Sequence, residues 1–151
     1  EFLTDTHGYG IMNHSFDTYK PFRSEFVERR NGVLIAHETG VSTTYGILSA
    51  ENRGVFFIVP GTDVYEGMIV GENNREQDIT VNVCKEKALT NIRSSTKEET
   101  VKLKSPLFLS LEQALTYINE DEYLEITPKS IRMRKKILRK SERDKWEKNK
   151  K

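Results

Sequence analysis

Residues 31–71, NGVLIAHETGVSTTYGILSAENRGVFFIVPGTDVYEGMIVG, alternate short β-rich runs with turn signals. Asn31-Gly32 marks a turn, and residues 33–37 form a β-rich run after it. Thr39-Gly40 offers the next turn, with 43–48 as the returning strand. Residues 50–54 form a polar break before 55–59, an apolar run of buried-strand length, and Pro60-Gly61 turns the chain into 64–70. Strands this short and closely spaced predict a compact antiparallel sheet or a small barrel.

Toward the C-terminus, residues 79–83 alternate as a strand, whereas 84–100 show no sustained apolar period. Loops of that length are usually functional or disordered. Residues 101–104 read as another short strand. Ser110-Leu111-Glu112-Gln113 fits a capping box, and Leu111, Ala114, Leu115 and Ile118 then form a helical stripe. This predicts an amphipathic helix with Leu115 in the core. Residues 123–126 and 130–137 look like strands around Thr127-Pro128, and 141–151 suit either a short helix or a frayed end. Toward the N-terminus, Gly8 and Gly10 precede an alternating stretch, 11–17, read as a strand closed by Pro21, with 23–30 as a charged connector. The expected class is α+β: a strand-dominated sheet or small barrel with one amphipathic helix, a long basic loop and a basic tail.

The chain has 151 residues, enough for one domain or a domain plus a fragment of another. It is 36% hydrophobic and 31% charged, and no window approaches the ~18 apolar residues of a membrane-spanning helix. The first residues, Glu1-Phe2-Leu3, lack a basic leader, which predicts no signal peptide and a chain cut from something longer. A single cysteine, Cys84, forbids an internal disulfide and fits a reducing cytoplasm. The net charge of +1 conceals a division: residues 127–151 hold 12 of the 24 Lys and Arg and only three acids, a local net charge of +9. The first 126 residues carry a net −8. Such a split points to a polyanionic partner for the tail.

The candidate chemistry is binding rather than catalysis. His7, His14 and His37 lack metal-ligand spacing, and no phosphate-cradling P-loop is present. The acidic run Glu120-Asp121-Glu122 reads as a solvated turn. Cys84 beside Lys85 and Lys87 is the one candidate nucleophile, but no base accompanies it. The loop instead brings Lys85, Lys87 and Arg93 together with Asn82, Thr90 and Asn91. Long cations and amides are the groups that hold phosphates and read unstacked bases. The basic segment Lys129, Arg132, Arg134, Lys135 and Lys136 is a second candidate RNA contact.

Four stretches carry a family resemblance: EFLTDTHGYGIMNHSFDTYKP (1–21), RRNGVLIAHETG (29–40), PGTDVYEGMIVGENNREQDITVNVCKEKALTNIR (60–93) and LSLEQALTYINEDEYLEITPKSIRMRKKIL (109–138). In colinear order over residues 1 to about 140, the chain resembles the C-terminal part of the TypA/BipA translational GTPases. The departures are small: Ser24-Glu25-Phe26-Val27 in the interdomain link, Ser42-Thr43-Thr44, and Lys97-Glu98-Glu99 in a variable stretch. The resemblance implies that residues 1–25 end an elongation-factor-G-like domain of ferredoxin type. It implies that 29–140 are the family-specific C-terminal domain; 141–151, beyond the resemblance, read as a basic tail from their composition. It implies no catalytic residue, metal or cofactor in this part, with GTP and magnesium held by a GTPase domain elsewhere in the parent. The implied partner is the ribosome, through rRNA and A-site tRNA near a loop matching roughly 72–93, in stress-linked translation and large-subunit assembly. A cytoplasmic monomer without DNA or membrane partners is expected. Two alternatives from other classes are a module recognising a ribosomal protein or stress factor, and an enzyme using Cys84.

Overall fold

The computed structural model describes residue 2 and residues 6–21, 29–87 and 102–150. The first half contains β1 (Val33–Ala36), β2 (Gly40–Val41), α1 (Thr44–Ala50), a 3-10 turn (Glu51–Arg53), β3 (Gly54–Phe56), β4 (Asp63–Val64), β5 (Met68–Asn73) and β6 (Ile79–Val81). The second half contains α2 (Leu111–Tyr117), β7 (Glu122–Ile126), β8 (Ile131–Lys135) and α3 (Lys140–Lys150). This is the expected strand-rich α+β class, and the sheet is open, with β6 and β7 at its edges, rather than a closed barrel.

At the centre, β1 is buried at all four positions, Val-Leu-Ile-Ala. A strand covered on both faces has no polar side, so its sequence is continuously apolar. β6 runs parallel along one edge of β1, and β5 antiparallel along the other. Leu34 pairs with Gly71 but Ile35 pairs with Ile69, so Val70 is an extra residue and β5 bulges there. The far edge of β5 is shared: β8 pairs with Met68 and Ile69, and β3 with residues 71–73. Leu34 and Ala36 point into one core with Ile47 of α1, Phe56, Val70 and Val81. Val33 and Ile35 point into the other with Ile69, Met133 and Ala114 of α2. Two apolar layers therefore cover opposite faces of one sheet.

Several expectations are corrected here. Residues 43–48 are not a strand: the Thr43 side chain accepts a hydrogen bond from the Gly46 backbone N–H and caps α1. A β-carbon on Gly46 would lie 2.1 Å from the Val83 carbonyl oxygen, so only glycine lets α1 lie this close to the chain leaving β6. The run 64–70 is cut into two strands by a turn at Gly67, whose φ of +88° suits glycine. Residues 9–21 form no strand, because a strand needs a hydrogen-bonded partner and none of the described elements pairs with them. Residues 102–104 are not a strand either, although Leu107 N–H donates to the Phe56 carbonyl at 2.8 Å and lays this segment beside β3; Val101 lies outside the described residues. The stretch 141–150 is helical within α3.

The capping box of α2 forms as its sequence predicts: Ser110 Oγ accepts from the Gln113 N–H, and Gln113 Oε1 accepts from the Ser110 N–H. Its buried face, however, centres on Ala114, and Leu115 is 56% exposed. One residue further along a helix turns about 100°, which carries Leu115 off the face that Ala114 presses against the sheet. The small alanine side chain is what allows that close approach.

Glu120-Asp121-Glu122 is not a solvated turn throughout. The Lys135 side chain is 3% exposed, and its ammonium donates to Asp78 at 2.6 Å, Asp121 at 2.7 Å and Glu122 at 2.9 Å. The fully buried Glu122 also receives both guanidinium nitrogens of Arg29, at 2.8 and 3.0 Å, and the Asn119 N–H at 3.0 Å. Arg29 lies over the Tyr117 ring, 4.5 Å from its centroid. Burial alone would push the Glu122 carboxyl up, but the hydrogen bond from Arg29 and the charge of Lys135 outweigh it and hold the group below its ordinary value. Burial likewise disfavours the Lys135 ammonium, and its carboxylate partners reverse that and raise it. The network joins the residue before β6, the α2–β7 turn, β7, β8 and the segment leading into β1.

Two tests follow from this packing. Leu115→Ala should change stability by less than about 0.5 kcal/mol in urea denaturation, whereas Ala114→Leu should cost about 1–3 kcal/mol by overfilling the α2–sheet contact. Lys135→Met should cost about 3–5 kcal/mol, because it strands the carboxylates it neutralises. Glu122 has a lowered folded-state pKa, so its stabilisation is complete above the unfolded value of about 4.3 and is lost as pH falls through the folded value. Glu122→Gln should therefore flatten the acid limb of a stability–pH curve, and an unchanged limb would show that this carboxylate is not the one being titrated.

Candidate nucleic-acid interface

The β7–β8 hairpin is closed by residues 127–130, where the Thr127 N–H donates to the Ser130 carbonyl and the Ser130 N–H donates to Thr127 Oγ1. This places exposed Lys129 in the connecting turn. Cross-strand pairs set the two faces: Tyr123 lies opposite Arg134, Leu124 opposite Met133, and Glu125 opposite Arg132. Because side chains alternate along a strand, Leu124, Met133 and Lys135 turn inward. Tyr123, Glu125, Arg132 and Arg134 turn to the other side.

Pairing thus divides the predicted basic segment. Lys135 is withdrawn into the ion network, and its charge is spent on three carboxylates. Arg134 is half-buried and stays on the outer face, its Nε donating to Glu125 at 2.6 Å. The Tyr65 hydroxyl donates to the second oxygen of Glu125 at 2.6 Å, and burial together with this bond pushes the phenol up, so it remains a donor. Arg132 is half-buried and Lys136 exposed. The centre of the face is Tyr123, 47% exposed, with the Arg134 guanidinium 5.0 Å and the Lys136 ammonium 5.1 Å from its ring centroid. An aromatic ring flanked by cations offers a stacking surface for a base and positive charge for its phosphate. Sequence reasoning found the cations but missed Tyr123; the strand alternation that pairs it with Arg134 was the available signal.

The loop after β6 repeats the theme. Lys85 is exposed and its ammonium sits 5.8 Å from the Tyr45 ring centroid, and Lys87 is exposed. Asn82 Oδ1 accepts from the Cys84 N–H at 3.0 Å, which uses its carbonyl to shape the loop. Thr90, Asn91 and Arg93 lie outside the described residues. β6 is parallel to β1, and both β1 and β8 are antiparallel to β5, so residues 82–87 and Lys136 follow strands that run in one direction.

The same geometry weakens the enzymatic alternative. Burial, with the charge of Glu38, pushes the Cys84 thiol up, which disfavours the nucleophilic thiolate. The carboxylates of Asp78, Asp121 and Glu122 approach one another within 4.8 Å, but the Lys135 ammonium bonds to all three. They form an ion-pair network with a resident cation of the protein's own.

The sequence model of the TypA/BipA C-terminal domain matches residues 31–140. The chain belongs to the TypA/BipA family. It is 57% identical over 152 residues to the large ribosomal subunit assembly factor BipA of Bacillus subtilis, a match covering 100% of the chain and 25% of that protein. It is 57% identical over 135 residues to the factor of the same name from Synechocystis, covering 89% of the chain and 23% of the relative. It is 48% identical over 131 residues to the putative elongation factor TypA-like SVR3, chloroplastic, of Arabidopsis thaliana, covering 87% and 19% respectively. The chain therefore spans about a quarter of the length of these curated TypA/BipA proteins or less.

If Tyr123 is a stacking surface, Tyr123→Ala should weaken single-stranded RNA binding by about 1–3 kcal/mol, read by anisotropy of a labelled strand. Tyr123→Phe should retain most of the affinity, since it keeps the ring. Equal loss in both variants would assign the residue to packing instead.

Proposed function

We propose that this domain is the ribosome-contacting C-terminal part of a longer TypA/BipA GTPase, binding rRNA and A-site tRNA during large-subunit assembly and stress-linked translation. The observation that carries the reading is the Tyr123 ring between Arg134 and Lys136 on an outward-facing strand pair, within a C-terminal stretch of local net charge +9. Neutralising phosphates releases counterions, and aromatic stacking holds unpaired bases. The ribosomal names of the relatives supply the biological setting. Residues 82–93 form the second contact, with Lys85, Lys87 and Arg93 as its cations.

In this reading, GTP and magnesium belong to the parent's GTPase domain, and the fragment has no catalytic role. Residues 1–25 close a preceding elongation-factor-like domain; the exposed Tyr9, Ile11, Met12, Phe16 and Tyr19 are apolar groups whose cover would come from that domain. Residues 29–140 are the family-specific domain and 141–151 its basic extension. The protein works in the cytoplasm as a monomer; among the described residues, no helix is long and apolar enough to cross a membrane.

The test is a salt series of binding to ribosomes with an occupied A site and to deproteinised large-subunit rRNA. Alanine at Lys129, Arg132 and Lys136 together should flatten the log–log salt slope by up to about 2 units, at roughly 0.7 per single-strand phosphate contact. Thermal stability should hold, because all three lie outside the two cores. Alanine at Lys85, Lys87 and Arg93 should act similarly. Unchanged affinity and slope in both variants would overturn the RNA reading. Binding to ribosomes without binding to bare rRNA would favour docking on a ribosomal protein.

A further inference from the structure

The start of α1 and the chain leaving β6 are stitched together, although 42 positions separate Thr43 from Lys85. The Thr43 N–H donates to the Val83 carbonyl at 2.9 Å, and the Thr43 hydroxyl donates to the Lys85 carbonyl at 2.5 Å. The same hydroxyl oxygen accepts from the Gly46 N–H at 2.9 Å, and Gly46 lies directly against the Val83 carbonyl. The first turn of α1 and residues 83–85 are thereby held to one another. This unit carries the Tyr45 ring from the helix and the Lys85 side chain from the loop, with the ammonium 5.8 Å from the ring centroid.

Both groups are available to a ligand. Tyr45 is 38% exposed, and Lys85 is exposed. Among the described residues, the Tyr45 hydroxyl and the Lys85 ammonium have no hydrogen-bond or ion-pair partner. Their mutual contact lies near the ~6 Å limit of a cation–π interaction and is open to water, where such contacts are weakest. The ammonium can therefore leave the ring without breaking another bond. Leu48, three residues along α1, shares the Tyr45 side of the helix and is 36% exposed, which extends the apolar surface beside the ring. Charge here is modest: Glu86 stands between Lys85 and Lys87, and the charge of Glu38 reaches Cys84. Cations offset in this way hold a polyanion weakly, so retention falls to the ring.

We propose that Tyr45 is a base-stacking residue, on which one unstacked nucleotide of an RNA strand lies while Lys85 turns from the ring to the adjoining phosphate; this deepens, and rests on, the RNA-binding reading above. The site is assembled across the fold, from a helix whose sequence reads as a strand and a loop whose sequence reads as basic. An aromatic face accepts any base. The site therefore selects single strands over duplexes, whose bases are already stacked, rather than one base over another.

The 151-residue chain is irradiated at low salt with a short single strand of iodouridine-substituted RNA, whose photochemistry joins it to stacked aromatic rings, and the crosslinked peptides are mapped by mass spectrometry. A crosslink at Tyr45 is expected, and it requires no substitution that could disturb folding. Affinities are then read by anisotropy in chains carrying Tyr123→Ala, so that the β7–β8 face does not mask the loss. There Tyr45→Leu should weaken single-stranded RNA about tenfold, within the range of one stacked base, and Tyr45→Phe should keep most of the affinity. Duplex RNA should bind the chain with and without Tyr45→Leu equally. Absence of the Tyr45 crosslink from a strand that binds, or no loss in Tyr45→Leu, would overturn the stacking site and leave the RNA interface standing. So would a loss that Tyr45→Phe shares, or one that extends equally to duplex RNA. Failure of every strand, single or duplex, to bind the unsubstituted chain at low salt would overturn both.

Discussion

Lys135 holds its ammonium out of water among Asp78, Asp121 and Glu122, with Arg29 closing the network from the far side of Glu122. Removing ions from water costs several kcal/mol apiece, and apolar residues of equal volume often serve stability as well or better. What such a network supplies is position. Side chains along β8 alternate between faces, so slipping its pairing by one residue would bury Arg132 and Arg134 and expose Met133 and Lys135. The inner position is built for one cation and three anions, and a slip would leave those carboxylates uncompensated. The register of the outer face, and with it the placement of Tyr123 beside Arg134, follows from a contact on the opposite side of the sheet.

This explains what was readable in the sequence and what was not. β1 was legible because a strand buried on both faces is written as an unbroken apolar run, and α2 because a capping box is a local signal. The hairpin of β7 and β8 was legible from β-rich runs around Thr127-Pro128. Residues 43–48 misled because Thr, Tyr and Ile favour strands in isolation, while a threonine cap and a glycine pressed against Val83 favour the helix only once β6 is in place. Leu115 misled because a stripe of two turns does not say which of its residues faces the sheet. Lys135 misled most: composition counts it as one more surface cation, and only the pairing of Glu122 with Lys135 across β7 and β8 reveals that it is internal.

The same fact revises the meaning of the basic tail. Its local net charge of +9 is a count by position in the chain, whereas a polyanion meets charge by position in space. Lys135 is neutralised by carboxylates of the body, and Arg134 is paired with Glu125. The acidic body and basic tail are thus partly interlocked. The outward field comes from fewer cations than the sequence suggests, gathered on the β7–β8 face, the residues beyond it and α3. That concentration matters more than the total, because screening at physiological salt limits each charge to about 8 Å.

On the proposed RNA-binding reading, a face made of a few cations and an exposed ring would divide its labour between two kinds of interaction. Phosphate contacts weaken as salt rises and are indifferent to sequence, while stacking and base-edge contacts depend little on salt and discriminate among bases. Here the two are not separable by residue. Arg134 and Lys136 each lie within about 5 Å of the Tyr123 ring, so each can polarise against the aromatic face as well as meet a phosphate. Glu125 orients this arrangement: its two oxygens accept from Arg134 and from the Tyr65 hydroxyl, which hangs from the segment between β4 and β5. A flexible lysine alone would place a charge near the ring only on average. An arginine bonded through Nε to a carboxylate that is itself held by a tyrosine keeps its guanidinium at a set distance from the ring, and that fixed geometry is what the proposed RNA contact rests on.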